Sequence, residues 1–182
     1  GLDASDAIRI SAKTGENVVL RRYARLTTDG TLGTYIHHNG RVAVMVEVAG
    51  PTGAPTLELA NTVAQHVAAG VPRVPEAVRR EDVPTDLVER ERRIFSEKAL
   101  AEGKPANIVD KIVAGKMEKF YAETVLLEQP FVKNPDQTVG ELVAAKIGKI
   151  GENIRVRRFA RFKLGEEGAR VAEAPEPAEP TN

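Results

Sequence analysis

The chain has no cysteine. That excludes disulfides, thiolate metal sites and a cysteine nucleophile, and it points to a reducing compartment, here read as the cytoplasm. It has no net charge, since 26 Lys and Arg balance 26 Asp and Glu. A dedicated nucleic-acid binder draws most of its affinity from neutralising phosphates, so the balance speaks against one. No apolar run is long enough to cross a bilayer, and the opening residues do not read as a signal peptide, so none is expected. A phosphate loop ending in Gly-Lys-Ser/Thr, a dinucleotide fingerprint and a paired-histidine metal helix are all missing. Histidine is sparse, at three residues. His37 and His38 are adjacent on an expected strand, which aims them at opposite faces and keeps them from chelating one ion. His66 borders the apolar stripe of an expected helix and reads as a packing residue. Neither Ser11 nor Ser96 sits in a nucleophile elbow. The carboxylates lie mostly on charged helices, where a solvated face is the default. No catalytic residue, metal ligand set or cofactor site assembles, and the chain reads as an α+β binding module.

What the chain does have is a repeated phrase. Lys13–Leu26, KTGENVVLRRYARL, recurs as Lys149–Phe162, KIGENIRVRRFARF, with eight of fourteen positions identical. Unrelated segments of ordinary composition match at about one position. Two copies are too few for a solenoid and suggest two related subdomains. Each copy reads as a glycine turn, at Gly15 and Gly151, followed by a strand. Val18, Leu20, Ala24 and Leu26 share one strand face, as do Ile154, Val156, Ala160 and Phe162. Arg21, Arg25, Arg155, Arg157 and Arg161 line the opposite faces. Arg22 and Arg158 fall on the apolar face, through a bulge or at the sheet margin. These basic faces are either solvated or a surface for nucleic acid or an acidic protein.

At 182 residues the chain fits one ordinary domain or two small lobes. It begins with Gly1, which reads as a processed chain or a fragment. Gly33–His37 and Arg41–Val48 alternate around Asn39-Gly40, a hairpin signal whose type I′ turn needs φ > 0 at both central residues. Val42, Val44, Val46 and Val48 share one face. Leu57, Ala60, Val63, Ala64, Val67 and Ala68 follow helical spacing, with Gly70 and Pro72 as stops. Two helices are expected at Pro84–Glu102 and Pro105–Tyr121. The short Gly103-Lys104-Pro105 link makes them an antiparallel hairpin with a seam at Ile94, Ile108 and Ile112. Their apolar stripes are too narrow for a large core, so the hairpin is expected to protrude. Thr124–Leu127 is a strand candidate, and Pro130 assigns the next segment to an edge or loop. Thr138-Val139-Gly140-Glu141 fits a capping box opening a helix to about Lys146. Residues 166–182 hold five Glu and one Arg, with almost nothing to bury, and are expected to be a disordered acidic tail.

Several of these segments together resemble bacterial elongation factor Ts. They are Gly15-Glu16-Asn17 leading to Arg21-Arg22, Tyr35-Ile36-His37-His38-Asn39-Gly40-Arg41-Val42, Gly103-Lys104-Pro105, Gln129-Pro130-Phe131-Val132 and Thr138-Val139-Gly140. The resemblance runs from about Ala12 to Glu167. It implies a guanine-nucleotide exchange factor that binds elongation factor Tu and speeds GDP release, with no cofactor and no enzymatic chemistry of its own. It implies two related small antiparallel-sheet subdomains with packed helices and a protruding helical hairpin. Residues 1–32 would be a remnant of the first subdomain, 33–83 and 122–165 the second, and 84–121 the inserted hairpin. The partner contacts it implies are Thr14, Gly15, His37 and Val132. Family members also carry an N-terminal three-helix module and a Thr-Asp-Phe-Val stretch reaching toward the partner's magnesium site. Neither is in this sequence, so binding with weakened exchange is expected. A homodimer stays open. The rival readings are an RNA-binding module using the Arg faces and an oligomerisation scaffold using the hairpin.

Overall fold

The structure is a computed structural model that describes residues 4–19, 22–166 and 170–173. Its class is the expected α+β, with five helices and two antiparallel sheets among the described residues. The main sheet has the order β1 (Thr31–Ile36), β2 (Val42–Ala49), β5 (Arg155–Lys163), β6 (Arg170–Glu173), antiparallel throughout. The second sheet is a small hairpin, β3 (Pro130–Phe131) with β4 (Asn134–Thr138). No helix among the described residues is long and apolar enough to cross a membrane.

The valine alternation in β2 does what its period requires. Val44, Val46 and Val48 are buried and Val42 is partly buried, all against the same core. Helix α2 (Ala54–Ala69) covers this face with Leu59, Ala60, Val63, Ala64 and Val67, each at most 1% exposed. Gly70, in the left-handed region at φ 63°, ends the helix by donating its N–H to the His66 carbonyl. The helix sits unusually close to β1. A Cβ on Gly33 would lie 2.3 Å from the Ala60 carbonyl carbon. Helix α5 (Val139–Ile150) closes the core with Val139 and Val143, opened by the expected Thr138–Glu141 capping box and running past Lys146.

Helices α3 (Thr85–Ala101) and α4 (Ala106–Thr124) form the antiparallel pair and share a separate hydrophobic cluster. Its members are Ala99, Val109, Val113, Met117 and Phe120, with Ala77, Val83 and Val125 at the foot. The expected seam is corrected here. Ile112 is packed against the cluster, but Ile94 and Ile108 are 45% and 43% exposed. Phe95 and Val109, their sequence neighbours, take the inward positions, so the stripe is rotated by one residue. The strand candidate at Thr124–Leu127 is also replaced. α4 continues to Thr124, Val125 makes one isolated bridge to Ala77, and Leu126–Glu128 is a single 3-10 turn.

The first copy of the repeated phrase departs furthest from expectation. Its beginning is helical, because α1 (Ala4–Thr14) reaches Thr14, and Gly15 at φ 74° donates its N–H to Ser11. The second copy begins the same way, with α5 ending at Ile150 and Gly151 at φ 76° donating to Ile147. Beyond the glycine the copies part. Ile154–Phe162 runs into β5 between β2 and β6, whereas residues 17–19 and 22–28 carry no strand. Leu20 and Arg21 lie outside the described residues. A strand is completed only by a hydrogen-bonded neighbour, and among the described residues none flanks the first copy.

In β5 the bulge reading of Arg158 is the observed one. Glu47 faces Arg158 while Val48 faces Val156, so Arg157 is the extra residue. The slip reverses the faces expected beyond it. Phe159 and Arg161 turn inward, opposite Val46 and Val44, and Ala160 and Phe162 turn to the outer face. At the other end of the chain, Arg170–Glu173 of the expected disordered tail forms β6, with Ala172 buried. The rest of the tail beyond Glu166 lies outside the described residues.

Candidate functional site

His37 follows the last residue of β1. Its N–H donates to the Val42 carbonyl at 2.9 Å, and its own carbonyl accepts from Gly40 N–H at 2.8 Å. Gly40 alone takes a positive φ, of 67°, so the turn is not the type I′ expected from Asn39-Gly40. Asn39 instead accepts the Arg41 N–H on its side-chain oxygen at 3.0 Å. Because His37 and His38 belong to this turn, their rings do not point to opposite faces. Their centroids are 4.1 Å apart. The Tyr35 hydroxyl lies 3.2 Å from His37 Nδ1. Among the described residues no group of three or more His, Asp or Glu could hold a metal ion. The hollow beside His37 is lined by Tyr35, Val42, Gln65, Ala68 and Arg161.

Val132 follows the two-residue strand β3. Its side chain is partly buried against the main core, and its N–H donates to Nδ1 of His66 at 3.2 Å. His66 is a packing residue, as expected, at 1% exposure. Burial pushes its pKa below the ordinary histidine value. Its Nε2 lies 2.9 Å from Gln129 Oε1. The adjacent helix residue, Gln65, accepts from Lys133 Nζ and also borders the His37 hollow. The last turns of α2 therefore meet both His37 and the segment carrying Val132.

Thr14 and Gly15 sit elsewhere, at the end of α1. The Thr14 hydroxyl donates to the Ile10 carbonyl at 2.9 Å and accepts from Glu16 N–H at 3.3 Å. Among the described residues, α1 contributes none to either hydrophobic cluster. The chain leaving it does reach the same end of the sheet, where Val19 and Arg22 border a hollow with Gly40, Arg41 and Phe162. Arg22 lies over the Phe162 ring at 5.5 Å and donates to the Lys163 carbonyl at 3.5 Å.

The Arg faces of the second copy are largely engaged within the fold. Glu47, at 0% exposure, receives Arg157 at 3.4 Å and the Arg158 Nε. It also accepts from the Thr28 hydroxyl at 2.6 Å. Arg161 pairs with Glu166 at 2.8 Å. Sequence reasoning missed Glu47, although a lone carboxylate in the run Val42–Ala49 was a visible anomaly. It also missed Gln65, and it recognised Gln129 only as part of a phrase.

A model of the family described as elongation factor TS matches residues 4–166. The chain belongs to the elongation factor Ts family. It is 48% identical over 169 residues to elongation factor Ts of Carboxydothermus hydrogenoformans, covering 90% of this chain and 76% of that protein. Against elongation factor Ts of Koribacter versatilis it is 44% identical over 175 residues, covering 93% and 78%. The corresponding protein of Solibacter usitatus is 45% identical over 169 residues. Membership in the elongation factor Ts family makes the chain a translation elongation factor by kinship, and the match includes both the His37 turn and the Gln129–Val132 segment.

Proposed function

We propose that this chain binds elongation factor Tu and promotes release of its GDP, acting in the cytoplasm and using His37, Val132, Thr14 and Gly15 as partner contacts. The observation that carries the reading is the family match over residues 4–166, joined to the meeting of the His37 turn and the Val132 segment at one end of α2. An exchange factor needs no acid or base. It must bind the nucleotide-free partner more tightly than the nucleotide-bound form, and by linkage the nucleotide then weakens the factor's binding by the same factor. A coupling of about 3 kcal/mol corresponds to about a hundredfold. Residues 1–182 carry no Thr-Asp-Phe-Val stretch, so these residues alone are expected to bind with slow exchange. Binding energy that is equal for both partner states shifts nothing.

The RNA-binding alternative is weakened by Glu47 and Glu166, which engage Arg157, Arg158 and Arg161. The test is direct binding to elongation factor Tu alongside displacement of fluorescent GDP. We expect capture of the partner and GDP release above the spontaneous rate. Absence of capture, or steeply salt-dependent capture of a generic single-stranded RNA instead, overturns the reading.

A further inference from the structure

Each polar group around His66 fixes the orientation of the next. The Val132 N–H can only donate, so the nitrogen it meets, His66 Nδ1, carries the lone pair. The proton is then on Nε2, which faces Gln129 Oε1 at 2.9 Å. With its oxygen committed there, Gln129 presents its amide nitrogen to two carbonyls, Arg73 at 2.9 Å and Glu123 at 2.6 Å. Carbonyls can only accept, so both amide hydrogens are used. Flipping the Gln129 amide would set donor against donor at His66 and acceptor against acceptor at both carbonyls. The backbone of Gln129 is held as well, its N–H by Val125 at 3.1 Å and its carbonyl by Val139 N–H at 3.0 Å.

Such a network is not the cheapest way to fill a core. Desolvating an imidazole and an amide consumes most of what their hydrogen bonds return, and apolar residues of equal volume would serve stability about as well. A closed network supplies direction in place of net stability. Here the direction runs from helix α2 to one backbone atom of the Val132 segment. Phe131, the preceding residue, is buried with its ring centroid 6.1 Å from that of His66, and Val132, in the turn that follows, is partly buried against the same core. The next residue, Lys133, is tied to Gln65 on the same helix turn.

We propose that His66 and Gln129 form a buried latch, and that His66 is the positioning residue that presents Val132 to the protein partner. The proposal rests on the reading of Val132 as a partner contact. The latch acts only with a neutral ring, because a proton on Nδ1 would confront the Val132 N–H.

The test uses the whole chain. Nitrogen-15 NMR of the histidines should report the Nε2–H tautomer for His66, and the Val132 amide should exchange slowly with solvent. His66→Gln keeps a donor near Nε2 and removes the acceptor for Val132. We expect Val132 exchange to rise at least tenfold and the complex with elongation factor Tu to weaken about tenfold. His66→Asn keeps an acceptor near Nδ1 and should restore slow exchange and binding to within about threefold of the parent. A merely structural histidine would lower the melting temperature in both variants without this split. The Nδ1–H tautomer in the parent, or unchanged Val132 exchange in His66→Gln, overturns the latch even if that variant binds poorly. Retained binding in His66→Gln, with binding abolished by Val132→Asp, overturns the positioning role alone. Unimpaired binding by Val132→Asp overturns the contact reading and with it the positioning role, leaving the latch to be judged by tautomer and exchange.

Discussion

Tyr23 and Phe159 occupy the same place in the two copies of the repeated phrase, yet one is 78% exposed and the other 0%. Their neighbours are the same too. Each copy opens on the left-handed glycine that ends a helix, and each carries the Arg-Arg pair before the aromatic residue. What the copies share is the part of structure that a few adjacent residues decide. A helix cap is local, and both copies form it. A buried strand is not local. The second copy has β2 and β6 to either side and α2 beneath, and the described residues of the first form no strand and place Arg22 on Phe162. Similar sequences thus follow one rule as far as the glycine and then diverge with their surroundings.

The comparison can be broken most directly at the aromatic position. Phe159→Ala should lose about 3–5 kcal/mol of stability, as full burial of a large side chain requires. Tyr23→Ala should stay within about 0.5 kcal/mol. Urea unfolding of the two variants checks this, and equal losses would mean that the first copy is buried in solution. The Arg pair gives a smaller contrast. Arg158→Met leaves the Glu47 carboxylate buried with only Arg157 and Thr28, and should cost about 3 kcal/mol. Arg22→Met, at an exposed ring contact, should cost less than about 1 kcal/mol. A double-mutant cycle with Glu47→Gln should show coupling to Arg158 and none to Arg22. The glycines give the smallest effect and sharpen the shared part. A Cβ added at Gly15 or Gly151 would have no neighbouring atom within 4 Å, so an alanine meets only backbone strain, about 1–2 kcal/mol. Gly151→Ala should show it in global unfolding. Gly15→Ala should show it as lost α1 helicity by far-ultraviolet circular dichroism, with the main transition unmoved.

Periodicity made much of the fold legible. The Val42–Val48 face, α2 with its Gly70 stop, the α3–α4 hairpin and the Thr138–Glu141 box are all visible as spacing or turn chemistry. What spacing could not convey is a count that slips. One extra residue at Arg157 moved Phe159 and Arg161 inward, and alternation read without the bulge assigns both wrongly. The seam at Ile94 and Ile108 failed for a related reason, since adjacent apolar residues leave the helix phase open. Of the candidate site, His37 and Val132 came from resemblance to a family. Their common position beside α2 came only from the fold, because Gln65 and His66 are far from both in sequence.

Gly33 has a consequence of a mechanical kind. A beam resting on a bearing has its height set there, however heavy the load at its far end. The bearing for α2 is a strand position with no side chain, where backbone meets backbone. Glycine is required at that position for clearance, since its φ lies outside the left-handed region. Any larger residue would lift the helix by roughly an ångström to reach ordinary contact. The load at the other end is Gln65 and His66, which hold the segment proposed to meet a partner and border the hollow beside His37. A residue that touches only its own chain thus sets the alignment of the surface that faces outward, and tolerance there is as narrow as at the surface itself.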